Sequence, residues 1–444
     1  MYVLYTLGLV LTAVALSPYF IYQAVRHNKY VSTLRQRLGH VGHMKSSGAA
    51  TVWVHAVSVG ETLAVYPLLR LLHDRAPGVQ IVVSTVTETG HAVARRRFGE
   101  WARVIYFPFD FGFSVRRCLE AIAPSLILVV ETEIWPTFLR LCRQRGIPVI
   151  LINGRISDRS FAGYRAVRPF MERVLDHFTL LLMQSARDAE RILALGADPE
   201  RVVITGNLKY DLEIPNVDQK ISELNDLLDL AGQPLIVAGS TAPSEERWLL
   251  QAFTLLTQKP GTENVRLLLA PRHPERFEEV AALIERMGFD LIRRSEAKRE
   301  RAARSSRIIL LDTLGELAAV YAMADVVFVG GSLVPVGGHN ILEPARFGKP
   351  IVVGPHTSNF QAIIDEFKAE HALIQLPQSP QNAYEQQLAE VFEHLLKDVH
   401  RREEMGRRAR HLLDRNRGAT ERTWAEIGRF FGGIDGTSSN GGVH

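Results

Sequence analysis

The stretch VWVHAVSVGETLAVYPLLRLLHD (52–74) changes its periodicity in the middle. VWVHAV (52–57), apolar apart from His55, has the composition of a strand covered on both faces. From Glu61 to Asp74 the apolar residues fall at helical spacing instead. Between the two, Ser58 offers a helix cap and Gly60 permits close backbone approach. A strand that passes at once into a helix is the repeating half of a parallel sheet.

The same pattern continues outward from this stretch. IVVSTV (81–86), VIYF (104–107), LILVV (126–130), VILI (149–152) and LLLM (180–183) read as further strands. Helical patterns at 61–74, 87–98, 113–122 and 135–145 separate them. Residues 211–233, with Pro215 and Asn216 near their start, break the series and are expected to connect two domains. A second series follows: LIVAG (235–239), VRLLLA (265–270), RIILL (307–311), DVVFVGG (325–331), PIVVG (350–354) and ALI (372–374). Its helical patterns lie at 244–257, 275–287, 314–323, 341–347 and 360–367. Two doubly wound units in succession imply a cleft, with ligands beyond the carboxyl ends of the strands. The expected division is an anchor at 1–25, a basic linker at 26–50, domains at 51–211 and 234–431 joined through 212–233, and a Gly/Ser-rich tail at 432–444. The basic run 293–307 reads as a solvated helix or loop within the second unit.

Met1 to Val25 carries no charged side chain. At ~1.5 Å per residue it is long enough for a ~30 Å hydrocarbon layer, and tyrosines and Phe20 flank its ends. Arg26, Lys29, Arg35, Arg37 and Lys45 follow, with no acidic residue before Glu61. The positive-inside rule then places the rest of the chain in the cytoplasm as a single-pass protein of the membrane. Ala13-Val14-Ala15 resembles a signal-peptidase site, but the basic region that precedes a secretory core is missing. The overall charge of +4 is therefore local to the start, since residues 61–444 hold 47 basic and 48 acidic side chains. That distribution excludes a nucleic-acid-binding protein, and two cysteines exclude a disulfide framework.

Several strand-to-helix connections carry polar residues. HAVSVGE (55–61) puts Glu61 at a helix N-terminus, where the dipole favours its ionised form and a carboxylate can accept a proton from a hydroxyl. From these seven residues alone an ordinary capping carboxylate is the simpler reading. In ETEIWP (131–136), Glu131 and Glu133 stand one strand period apart and point the same way if extension continues. Either one orients an acceptor or tunes Glu61, or else caps the next helix. GNLKYD (206–211) offers Lys209 to a leaving phosphate, against the usual solvent-facing role of lysine.

In the second unit LAPRHPERF (269–277) presents Arg272 for bidentate grip of an anion, with His273 beside it. DTLGEL (312–317) and VGGSLVPVGGHNILEPARFGKP (329–350) leave the same sheet edge. Gly330, Gly331, Gly337 and Gly338 allow amide groups near an anion. Asn340 caps the following helix with Glu343 at its third position, where a carboxylate can also take both ribose hydroxyls. Three such connections converging on one edge point to a nucleotide. Neither G-x-x-x-x-G-K-[ST] nor G-x-G-x-x-G occurs, nor do H-E-x-x-H, C-x-x-C or G-x-S-x-G.

HAVSVGE, ETEIWP, NGRISDRS (153–160), GNLKYD, PRHPERF, DTLGEL and GGHNILEP, in this order behind an apolar N-terminus, resemble the 3-deoxy-D-manno-octulosonic acid (Kdo) transferase family of lipopolysaccharide synthesis. The resemblance covers residues 1–430. It implies a GT-B fold, an α/β arrangement of two Rossmann-like domains facing a cleft, here preceded by one transmembrane helix. It further implies transfer of Kdo from CMP-Kdo to the lipid A precursor, with inversion, at the cytoplasmic face of the inner membrane. By resemblance Glu61 is the proton acceptor, and Glu131 and Lys209 stabilise the transition state. Pro271, Arg272, Leu314, Gly315, Glu316, Asn340, Ile341, Leu342 and Glu343 match the CMP-binding segments. No metal and no cofactor are implied beyond the donor itself, and the partners are CMP-Kdo, the lipid A precursor and membrane lipid. GSTAPSEE (239–246) departs from the family, with Ala242 where histidine is usual and Ser244 where glycine is common. The readings set against this one are another membrane-anchored GT-B transferase with a different donor and a non-catalytic two-lobed binding protein.

Overall fold

The computed structural model describes residues 1–27, 31–44, 50–211, 217–228, 232–297, 306–379 and 384–431. Pro215 and Asn216, most of the basic run 293–307 and the tail 432–444 lie outside the described residues.

The chain forms two units, one of Met1–Glu213 with Asn416–His444 and one of Ile214–Arg415. The first holds strands β1 (Thr51–His55), β2 (Gln80–Thr85), β3 (Arg103–Tyr106), β4 (Leu126–Val130), β5 (Val149–Gly154), β6 (Leu180–Met183) and β7 (Val202–Ile204). They form a parallel sheet in the order β3-β2-β1-β4-β5-β6-β7. Consecutive residues of β1 face opposite sides, Trp53 into one apolar layer and Val52 and Val54 into the other. Both layers are sealed, which is why the consecutive residues Val52, Trp53 and Val54 are all apolar rather than alternating. The strand order reverses between β1 and β4, so their carboxyl ends flank a crevice of the kind that binds ligands.

The second unit repeats the design with β8 (Leu235–Thr241), β9 (Arg266–Pro271), β10 (Leu291–Arg293), β11 (Ile308–Leu310), β12 (Val326–Val329), β13 (Ile351–Val353) and β14 (Ile374–Gln375). Its order is β10-β11-β9-β8-β12-β13-β14, again parallel, with the reversal between β8 and β12. β7 and β10 were not expected from the sequence; each is three residues long.

Two boundaries differ from those expected. The Val217–Leu228 helix belongs to the second unit, where it packs on the Leu317–Met323 helix, so it is more than a connection. The chain also leaves the second unit at Asn416 rather than at 431. The Ala419–Gly428 helix packs on Val59–Arg75 and buries Ala419 and Ile427 in the first unit's core. Asp211 fastens this return by accepting the amides of Gly418 (2.7 Å) and Thr420 (2.6 Å).

The N-terminal segment is one helix, Tyr2–His27. Among the described residues no helix is long and apolar enough to cross a membrane. Its first turns are seated on the first unit. The Tyr2 hydroxyl lies 2.6 Å from Nε2 of His177 and beneath the Arg140 guanidinium, and Tyr5 donates to Asp110 (2.9 Å). Asp110 in turn accepts the amides of Thr137 and Phe138 and so caps the Pro136–Gln144 helix. Val3, Leu4, Leu7, Val10, Leu11 and Val14 remain exposed.

Candidate active site

Each crevice collects the polar connections named above. In the first unit the chain leaves β1 through Ser58, the N-cap of the Val59–Arg75 helix. Glu61 stands three residues on, the spacing of a capping box. Its Oε1 accepts the Ser58 hydroxyl (2.8 Å) and its Oε2 the Val57 amide (2.8 Å). The carboxyl is only 8% exposed, and this burial, reinforced by the nearby charge of Glu131, raises its pKa to about 7. The sequence reading, in which the helix dipole keeps Glu61 ionised, is corrected here: burial outweighs the N-terminal hydrogen bonds.

Glu131 directly follows β4 with φ 58°, a left-handed conformation that costs about 1–3 kcal/mol in a residue other than glycine. The backbone does not continue extended through Glu131, yet the charges of both Glu131 and Glu133 act on Glu61. Glu131 turns to Lys209, Oε1 to Nζ 2.9 Å, whereas Glu133 accepts the Trp135 indole N–H at 3.1 Å. Burial also raises the Glu133 carboxyl. Asn153, at the end of neighbouring β5 with φ 53°, holds the Lys209 segment: its Oδ1 accepts the Leu208 amide at 2.9 Å. The structure thus brings Glu61, Glu131 and Lys209 together. It adds Asn153, which the sequence reading passed over within NGRISDRS.

In the second unit Arg272 leaves β9 exposed, with its amide bonded to the Thr241 carbonyl (3.0 Å). Asn340 accepts the Leu342 amide (3.0 Å) and reaches Glu343 at 3.4 Å. Glu343 is the second residue of the Leu342–Arg346 helix, one earlier than expected. Burial raises the Glu343 carboxyl, and the field of Arg272 opposes the rise. Two residues join this group without having been singled out. Tyr321 packs on Gly239, where a Cβ would lie 2.0 Å from its hydroxyl. His339 lies over Gly331 and is held neutral, its pKa lowered to about 4 by burial and by Arg272. Gly337 and Gly338, immediately before His339, were the available signal. Leu314–Glu316 has contacts of its own: Leu314 is exposed, Gly315 accepts Lys220 Nζ (2.7 Å) and Glu316 pairs with Arg294 (2.7 Å). Pro271, Ile341 and Leu342 supply buried backbone rather than exposed side chains. Among the described residues no three His, Cys, Asp or Glu side chains form a metal-ligand group.

A base with a pKa near neutrality, beside an acid–lysine pair, suits proton removal from a hydroxyl while negative charge develops nearby. An exposed arginine and a buried carboxylate suit an anionic nucleotide, whereas the amides of Gly330, Gly331 and Gly338, expected to face an anion, are bonded within the protein to the Gly239 carbonyl, Glu245 and the Gly331 carbonyl.

Residues 32–212 match the family model described as 3-deoxy-D-manno-octulosonic-acid transferase (kdotransferase). The 3-deoxy-D-manno-octulosonic acid transferase of Haemophilus influenzae is 34% identical over 90% of this chain and 91% of its own length. That of Bordetella pertussis is 34% identical over 84% and 86%. A solved glycosyltransferase structure from Rickettsia africae superimposes with a TM-score of 0.54, at 13% identity, over 88% of this chain and 100% of that one. The last likeness speaks for the fold alone, which is GT-B-like.

Proposed function

This chain belongs to the 3-deoxy-D-manno-octulosonic acid transferase family, and on that premise we propose that it transfers Kdo from CMP-Kdo to a lipid A precursor with Glu61 as the base. It is a glycosyltransferase. Glu61 takes the proton of an acceptor hydroxyl as that oxygen bonds to the anomeric carbon of Kdo. The bond from this carbon to the phosphate oxygen breaks, its electron pair leaves with CMP, and the centre inverts. Lys209, oriented by Glu131, balances charge that develops as the bond breaks. Arg272 grips the phosphate, Asn340 and Glu343 hold the ribose, and the Leu314–Glu316 turn borders the nucleotide. CMP departs as an ordinary leaving group, and the reaction draws on no metal and no cofactor.

The Tyr2–His27 helix attaches the enzyme to the inner membrane on its cytoplasmic side, where the acceptor resides. The exposed apolar side chains from Val3 to Val14 support attachment, because leaving them in water is costly.

The observation that carries the mechanism is the Glu61 carboxyl, fixed by Ser58 and Val57 and raised toward neutrality beside Glu131. Competition among donors tests the substrate: CMP-Kdo is expected to be consumed in the presence of lipid A precursor, and UDP- and GDP-sugars are not. Turnover of a UDP- or GDP-sugar in preference to CMP-Kdo overturns the assignment.

A further inference from the structure

The motif GSTAPSEE found no role in the proposed chemistry, yet its two carboxylates are 0% and 1% exposed. A buried carboxylate is costly unless both oxygens are satisfied. Glu245 meets that condition with backbone alone. Its Oε2 accepts the amides of Ala242 (2.8 Å) and Gly331 (2.7 Å), and its Oε1 those of Ser332 (2.9 Å) and Leu333 (2.8 Å). These four donors come from the loops after β8 and β12, the adjacent strands between which the sheet order reverses.

The approach is close enough to dictate the sequence around it. A Cβ on Gly330 would lie 2.6 Å from the Ser240 carbonyl oxygen and 2.8 Å from Oε2 of Glu245. Ser240 and Ser244 are held at φ 55° and 79°, conformations that need support from their surroundings. Glu246 extends the tie to a third loop. It accepts the Thr241 hydroxyl (2.7 Å) and both forks of Arg276 (2.7 and 3.1 Å), four residues after Arg272. The loop after β12 then leads to His339 and Asn340 through the Gly338 amide, which bonds to the Gly331 carbonyl at 2.7 Å.

We propose that Glu245 and Glu246 are positioning residues of the donor site: one buried carboxylate ties the β8 and β12 loops together, and the other ties them to the β9 loop through Arg276. Neither touches substrate. Glu245 occupies the amides of Gly331, Ser332 and Leu333 and so shapes the glycine-rich turn that leads to His339 and Asn340. The inference rests on the donor reading given above.

The test uses the full chain, with CMP binding by calorimetry and steady-state transfer measured together. Glu245→Gln keeps the shape but turns an NH2 group toward two backbone amides. It is expected to weaken CMP binding and raise the KM for CMP-Kdo by ~10-fold or more, with the acceptor KM unchanged. Amides of residues 331–333 should exchange faster in the same variant. If E245Q does not fold, Arg276→Lys carries the test, since it keeps the charge and loses the fork; a several-fold rise in the KM for CMP-Kdo alone is expected. Unchanged CMP affinity and KM in a folded variant overturn the proposal. Failure of the unaltered enzyme to bind CMP overturns the donor reading instead.

Discussion

At Glu61 two opposing effects meet in one carboxyl. The helix N-terminus, the Val57 amide and the Ser58 hydroxyl favour the charge, while burial and Glu131 oppose it and prevail. The S-x-x-E capping pattern is legible in seven residues. The outcome is not, because Glu131 arrives from another strand 70 positions away. Asn153 and the kink at Glu131 were hidden for a similar reason: a left-handed non-glycine residue leaves no mark in composition. With a pKa near 7, raised from the usual 4.5, Glu61 gains its ionised form as the pH rises through neutrality. The transfer rate is therefore expected to climb with pH along a limb centred near 7, read from a pH–kcat profile. Stability runs the opposite way, since the raised pKa contributes stability in full below about pH 4.5 and loses it as the pH rises through 7. Burial raises Glu245 as well, so the difference between wild type and Glu61→Gln isolates the Glu61 share of that slope.

Among the elements, those with a clear period were readable and those without were not. Twelve strands followed from apolar runs bounded by turns. β7 and β10, three residues each, are too short to show a period, and Ile204 at the end of β7 is exposed. The Tyr2–His27 helix was legible as an apolar element, but its contacts were not. Tyr2 and Tyr5, among the tyrosines near its ends, hold it to His177 and Asp110. Arg37, counted among the charges that set membrane orientation, stacks on Tyr106 and bonds to the Val86 carbonyl. Deleting residues 1–25 is expected to release the enzyme from vesicles of inner-membrane lipid in a flotation assay while transfer to detergent-dispersed acceptor persists. Retention of the shortened chain on the vesicles contradicts attachment through this helix.

For the whole molecule, the two-unit plan and the family were legible and the path of the chain was not. Nothing in the order of residues 384–431 announces that the last helix returns to the first unit. That return rests on Asp211 at one end and on the Arg75–Glu421 pair (2.8 Å) and the burial of Ile427 at the other. A chain ending at residue 415 is expected to lower the unfolding temperature of the first unit while CMP binding, proposed above for the second, is kept. Loss of CMP binding with an unaffected first unit contradicts the division of labour. In the mechanism proposed above Glu61 removes the acceptor proton during Kdo transfer. Its most direct test is mass spectrometry of lipid A precursor incubated with CMP-Kdo and either wild type or Glu61→Gln. Kdo-bearing product is expected from wild type and a rate ~10²–10⁴-fold lower from E61Q, with its affinity for CMP unchanged. Near-normal product formation by E61Q contradicts it.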